Sequence, residues 1–173
     1  YVEMALNYLR VEDISSDLSF KQYAVDDMVR QVIRKYAKIF ISKKIKMNFK
    51  PTGRYIVTDD KWFVFVLEQL LSNALKYTKK GQISIYMKEK SLVIEDTGIG
   101  IPAEDLLEIF EKGFTGYNGR MDKKASGLGL YLCKGVCEKL GHGISVSSKE
   151  GEGTTVMITL QCEKVQQGDL VNM

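Results

Sequence analysis

Apolar positions along the chain change period several times, and each change marks an element. Val2, Ala5, Leu6 and Leu9 stand at helical spacing, which predicts a helix end over residues 1–12. The polar stretch Glu12-Asp13-Ile14-Ser15-Ser16-Asp17 reads as a linker. From Asp26 the three-and-four spacing returns in Met28, Val29, Val32, Ile33, Tyr36, Ala37 and Phe40, a long amphipathic helix. Asp26 and Asp27 stand where its start favours caps and negative charge, and Lys43 and Lys44 where its end favours cations. Residues 45–49 alternate with period two and predict a strand closed by Pro51-Thr52-Gly53, and Tyr55-Ile56-Val57 predicts a short second strand. Asp59 or Asp60 caps a second helix through about Thr78, with Phe63, Val66, Leu67, Leu70, Leu71 and Ala74 inward and Gly81 beyond its end.

Strands are predicted next over residues 83–87 and 91–96, followed by a loop marked by Gly98, Gly100 and Pro102. Pro102 fits the first position of a short helix with Glu104 and Asp105 in its first turn. Residues 111–126 hold three glycines, several charges and little periodicity, the profile of a functional lid. A third helix is predicted from about Gly127 to Leu140, then strands over residues 144–148 and 154–160, and a frayed tail after Lys164. Three helices and six strands, mostly hairpin-linked, predict an α+β fold: a two-layer sandwich with the helices on one face of a mixed, mostly antiparallel sheet.

Composition narrows the function without naming it. At 173 residues, 45% hydrophobic and 27% charged, the chain fits one ordinary domain and is neither disordered nor a disulfide scaffold. It contains no run of about 18 apolar residues, so no membrane span is expected. It opens at Tyr1 without the basic-then-apolar build of a signal peptide, and reads as a piece of a longer chain. A net charge of +3 is too small to argue for nucleic acid. Residues 21–50 nevertheless carry nine Lys or Arg against Asp26 and Asp27, which reads as a solvated helix face. Cys133, Cys137 and Cys162 show no CxxC or zinc spacing and read as small core residues in a reducing compartment. A single histidine, His142, excludes a metal site built on several imidazoles.

Four segments are not explained by making a core. In Glu68–Tyr77 the residues Gln69, Asn73 and Lys76 share one polar helical face. In Ile94-Glu95-Asp96-Thr97-Gly98-Ile99-Gly100-Ile101-Pro102 a carboxylate ends a buried strand, and two glycines let a flat ligand approach the backbone. Such a carboxylate accepts the amino hydrogen of adenine and repels the carbonyl that guanine carries there. Ile109-Phe110-Glu111-Lys112-Gly113 places an apolar anchor before the lid. Ser126-Gly127-Leu128-Gly129-Leu130 opens a helix, where free N–H groups and the dipole favour a phosphate, without the Walker A or dinucleotide spacing.

The ordered set LLSNALKYT, EDTGIGIP, IFEKGFTG, SGLGLYLCK and GEGTTVMITL resembles the N, G1, F and G2 boxes and closing Gly-Thr strand of the ATP-binding domain of bacterial sensor histidine kinases. That domain belongs to the superfamily that includes DNA gyrase, the Hsp90 chaperone and MutL, whose fold is the Bergerat-type sandwich with a flexible ATP lid. The opening VEMALNYLR is similar to the end of the second dimerisation helix in small membrane-embedded kinases of Gram-positive bacteria that sense envelope stress. The resemblance implies residues 1–20 as the end of a dimerisation helix and its linker, 21–164 as the ATP-binding catalytic domain, and 165–173 as a tail.

It also implies ATP and Mg²⁺ as cofactors, with Asn73 as metal ligand, Lys76 and lid Lys112 as phosphate stabilisers, and Tyr77 over the nucleoside. Arg120, Lys123 and Lys124 are further lid candidates. Asp96 would bind the adenine amino group beside Gly98 and Gly100, with Ile94 and Ile101 against the base. Gly127, Leu128, Gly129 and Leu130 would present amides to phosphate, and Thr155 would bond near adenine. The implied partners are a dimerisation domain bearing the acceptor histidine and a response regulator, with no nucleic acid. The implied parent is a membrane-bound homodimer whose catalytic domain is cytoplasmic.

Gyrase-like and Hsp90-like relatives carry a glutamate general base four residues before the asparagine. Here that position is Gln69, which cannot take a proton, and Glu68 is turned about 100° away on a helix. Rapid hydrolysis is therefore disfavoured. His142, in Leu140-Gly141-His142-Gly143, stands where relatives carry a glycine and reads as an ordinary turn residue, so the acceptor lies elsewhere. A serine kinase of the anti-sigma-factor type and a non-catalytic nucleotide-binding module remain as alternatives.

Overall fold

The computed structural model describes residues 18–111 and 129–163. Helix α1 (Val25–Lys43) follows directly on strand β1 (Lys21–Ala24), and β2 (Lys46–Phe49) and β3 (Tyr55–Thr58) lead to helix α2 (Asp60–Tyr77). Strands β4 (Gln82–Lys88) and β5 (Ser91–Asp96) form a hairpin, followed by the single-turn α3 (Ala103–Leu106). Helix α4 (Gly129–Leu140), β6 (Gly143–Lys149), β7 (Gly153–Thr159) and the two-residue β8 (Cys162–Glu163) complete the described chain.

The main sheet has the order β2-β4-β5-β7-β6, with β2 parallel to β4 and every other pair antiparallel. The expected mixed sheet is present, and its alternation decides which side faces the helices. Ile83, Ile85, Leu92, Ile94, Val156 and Ile158 are buried and packed with Phe63, Leu71 and Leu132 in one core. The opposite face carries polar side chains, among them Tyr86, whose hydroxyl donates to Glu95 Oε2 at 2.7 Å.

Two strands go beyond the six expected. β1 and β8 flank β3 in a separate three-stranded sheet of order β1-β3-β8. Lys-Gln-Tyr-Ala has no apolar alternation, and two residues carry no period at all, so tertiary pairing rather than local pattern makes these strands. Helix starts also differ from expectation. Asp26 does not cap α1, because Ala24 is the N-cap and no side chain bonds there. The Asp26 carboxylate instead accepts from Thr52 N at 2.8 Å, Thr52 Oγ1 at 2.7 Å and Gly53 N at 3.0 Å, tying the β2–β3 loop to the helix. Asp59 is a true cap: its Oδ1 accepts from Trp62 N at 3.2 Å, and its Oδ2 accepts from Ser19 N at 2.9 Å. Pro102 stands one residue before the first helical position of α3, as N-cap. No helix of the described residues is long and apolar enough to cross a membrane.

Candidate functional site

Helices α2 and α4 run antiparallel, which their end contacts fix. At one end Thr58, two residues before α2, lies 3.1 Å from His142, two residues after α4. At the other, the place a Cβ would occupy on Gly129 lies 3.5 Å from Gln69 Oε1 and 3.9 Å from Asn73 Nδ2. The first described turn of α4 therefore meets the polar face of α2. Both amide side chains are half-buried and converge there, so two members of the predicted polar face share a location. The third, Lys76, is exposed and holds its Nζ 5.2 Å from the centre of the Tyr77 ring. Glu68 turns away as expected, with its carboxylate 3.0 Å from Lys35 Nζ.

Asp96 ends β5 on the helix side of the sheet and is only 9% exposed. Its Oδ1 accepts from Gly98 N at 2.9 Å and Thr154 N at 3.2 Å, while Oδ2 has no partner among the described residues. Burial pushes the carboxyl above the usual range, the Gly98 and Thr154 amides pull it back, and the Glu95 charge adds to the rise. An oriented, desolvated acceptor with one oxygen committed and the other open is suited to bind a hydrogen-bond donor.

The glycines after Asp96 also have a packing cause. A Cβ on Gly98 would collide with the Tyr77 carbonyl at the end of α2, and one on Gly100 would collide with the Lys149 carbonyl. Gly100 also has φ 71°, in the left-handed region. The loop is clamped between these elements by Ile99 N to Tyr77 O at 3.1 Å and Gly151 N to Ile99 O at 2.7 Å. Ile101, half-buried, donates its N–H to Ser148 Oγ at 2.8 Å. Glycine is needed so that backbone from three elements can close around Asp96.

The expectation for Thr155 is corrected to the preceding residue. In the register Thr154 is opposite Asp96 and Thr155 opposite Glu95, so Thr155 points to the far face of the sheet. Thr154 gives its amide to Asp96 and bonds Ser148 Oγ through its hydroxyl at 2.9 Å. Thr154 and Ser148 are the members of this cluster that sequence reasoning missed. The signal was present: Val156 and Ile158 face inward, and period two carries that face to Thr154. Ile94 is buried two residues before Asp96 on the same face. Leu130 is half-buried against the core, and Ile109 is buried as the expected anchor. Lys112, Arg120, Lys123, Lys124, Gly127 and Leu128 lie outside the described residues, as does the predicted lid after Glu111.

His142 lies in the expected turn between α4 and β6, and it is buried there. It is 6% exposed, its Nε2 is paired with Thr58 Oγ1, and its ring meets Phe63 edge to face at 5.5 Å. Burial holds its imidazole down at about 4. Its Nδ1 is buried without a partner among the described residues.

A two-layer sandwich of this topology is the fold of histidine kinase ATP-binding domains. It is shared with full-length ShkA in complex with AMPPNP, at TM-score 0.79 and 19% identity, over 95% of this chain and 35% of that one. It is also shared with the nucleotide-free catalytic domain of the histidine kinase ThkA, at TM-score 0.68 and 20% identity, over 82% and 95%. Residues 58–164 match the family described as Histidine kinase-, DNA gyrase B-, and HSP90-like ATPase, and the chain belongs to that family. It is 32% identical over 163 residues to the sensor histidine kinase YxdK of Bacillus subtilis, covering 90% of this chain and 50% of that one. With the sensor protein kinase GraS of Staphylococcus aureus it shares 36% over 174 residues, covering 96% and 50%. The chain thus spans about half the length of the curated relatives it matches.

Proposed function

We propose that this chain binds ATP with Mg²⁺ and, within a longer sensor kinase, holds it for transfer of the γ-phosphoryl group to a histidine. That histidine belongs to a dimerisation domain, and a response-regulator aspartate receives the group next. The observation that carries the reading is Asp96, a buried carboxylate whose Oδ1 is fixed by two amides and whose Oδ2 is open. Sensor-kinase names among the relatives and AMPPNP in ShkA support it.

Asp96 Oδ2 would accept the adenine amino group and disfavour guanine. Tyr77 would cover the nucleoside, and Ile101, with Ile94 below it, would line the base. Asn73 would ligate the ion through its amide oxygen. Mg²⁺ suits such a place, since it takes hard oxygen ligands and is commonly held through substrate phosphates. When bound, Mg²⁺ neutralises and orients the outer phosphates. Lys76 and Lys112 would stabilise phosphate charge, and the amides of Gly127, Leu128, Gly129 and Leu130 would cradle it.

Gln69 supplies no base and Glu68 is held by Lys35, so the chain keeps ATP intact for an external nucleophile. His142 is shut away from phosphate, so the acceptor is an imidazole beyond these 173 residues. We assign residues 21–164 to the catalytic domain, which agrees with β1 starting at Lys21, and residues 1–20 and 165–173 to a dimerisation-helix end with linker and a tail. The parent is read as a membrane-bound homodimer with this domain cytoplasmic. Calorimetric titration with non-hydrolysable ATP and GTP analogues tests the reading. Mg²⁺-dependent binding of the ATP analogue alone is expected, and no binding, or equal binding of both, would overturn it.

A further inference from the structure

No Asp or Glu occurs between Asp27 and Asp59, while nine Lys or Arg do. The structure resolves this run into a directed face. On α1, Arg30, Arg34 and Lys38 follow one another at four-residue intervals along the solvent side, and all three are exposed. Arg34 and Lys38 have no ion-pair partner among the described residues. Three acidic groups of the described residues near this helix are engaged: Asp27 lies 3.9 Å from Arg30, Asp26 is bonded to Thr52 and Gly53, and Glu68 to Lys35. Among the described residues the cationic field of the C-terminal half of α1 is therefore uncompensated, and exposed Lys44 and Lys46 extend it past the helix end.

Ile41 stands seven residues from Arg34, two turns on and in line with it, at the middle of the solvent side. It is 77% exposed, and Ile39 beside it is 43% exposed. Core packing does not account for Ile41, because Val25, Met28, Val29, Val32 and Phe40 form the buried stripe. A branched aliphatic side chain is thus presented outward beside the exposed cations Arg34, Lys38 and Lys44.

We propose that this end of α1 docks on an anionic lipid surface, with Arg34, Lys38 and Lys44 against lipid phosphates and Ile41 entering the headgroup boundary. Charge complementarity selects the surface. A convex helix face with long cationic stems and an exposed aliphatic side chain among them favours a laterally fluid array of headgroups over a fixed acidic protein epitope. The contact is independent of nucleotide, since none of these residues is among those proposed to bind it.

Flotation of the 173-residue chain with vesicles tests this, using phosphatidylcholine alone and equal parts phosphatidylcholine and phosphatidylglycerol. Retention on the anionic vesicles only, lost in high salt, is expected. Each charge near such a surface changes affinity by about fivefold, so Arg34→Glu with Lys38→Glu abolishes retention, and Ile41→Ser weakens it by about tenfold. All three side chains are on the solvent side, so thermal unfolding stays at the wild-type temperature. Absence of the wild-type chain from anionic vesicles at low salt, or retention undiminished by the double reversal, contradicts the proposal. Capture by polyglutamate with no retention on anionic vesicles contradicts it too, and reassigns the face to an acidic protein.

Discussion

The two ends of the antiparallel α2–α4 pair each bury a titratable side chain, and only one of them has the form of a site. At the His142 end the imidazole lies on Phe63 and against Thr58, enclosed by core. At the other end Asp96 is about equally buried, but its surroundings are the backbone amides of Gly98 and Thr154 and the glycine loop that follows it. Burial pushes both groups toward their neutral forms. The difference lies in what converges: a ring fills space at one end, and a fixed acceptor is left open at the other. Low exposure and a shifted pKa do not by themselves distinguish a packed polar residue from a binding one.

The largest effect is expected from pH. His142 titrates near 4 in the fold, against about 6.5 when unfolded, so the unfolded chain binds the extra proton between those values. Its contribution is complete above pH 6.5 and is lost as pH falls toward 4, by up to about 3 kcal/mol. Denaturant unfolding across that range measures the slope, and in His142→Phe the slope is reduced by that amount. Gly100→Ala acts at the opposite end, forcing a Cβ against the Lys149 carbonyl at φ 71°. We expect it to cost about 2 kcal/mol of stability and to weaken nucleotide binding as well, because the same loop holds Asp96. Asp59→Ala, which removes the α2 cap near His142, costs about 1 kcal/mol in unfolding and leaves nucleotide titrations unchanged.

Much of this contrast was readable in the sequence, for identifiable reasons. Helices α1, α2 and α4 carry strong three-and-four patterns, and β4 to β7 alternate or run apolar, so the sandwich followed from period alone. Asp96, Asn73 and the glycine loop stood out because core formation does not require them. β1 and β8 were not readable, since their pairing partners lie far along the chain. The turn at His142 is readable from its glycine neighbours, but its burial is not, because nothing local tells that Phe63 and Thr58 close over it. Thr154 was passed over for Thr155 because two adjacent threonines are separated only by register, which Asp96 itself sets.

The most direct test of the central claim compares Asp96→Asn with the wild-type chain by calorimetric titration with a non-hydrolysable ATP analogue and Mg²⁺, alongside thermal unfolding. Asparagine keeps the carbonyl that the Gly98 and Thr154 amides need, but turns a donor toward the adenine amino group. The account predicts a loss of about 1–3 kcal/mol in binding with unfolding unchanged or shifted upward, since a desolvated charge has been removed. Equal affinity in the two proteins, or affinity lost only together with stability, would contradict it.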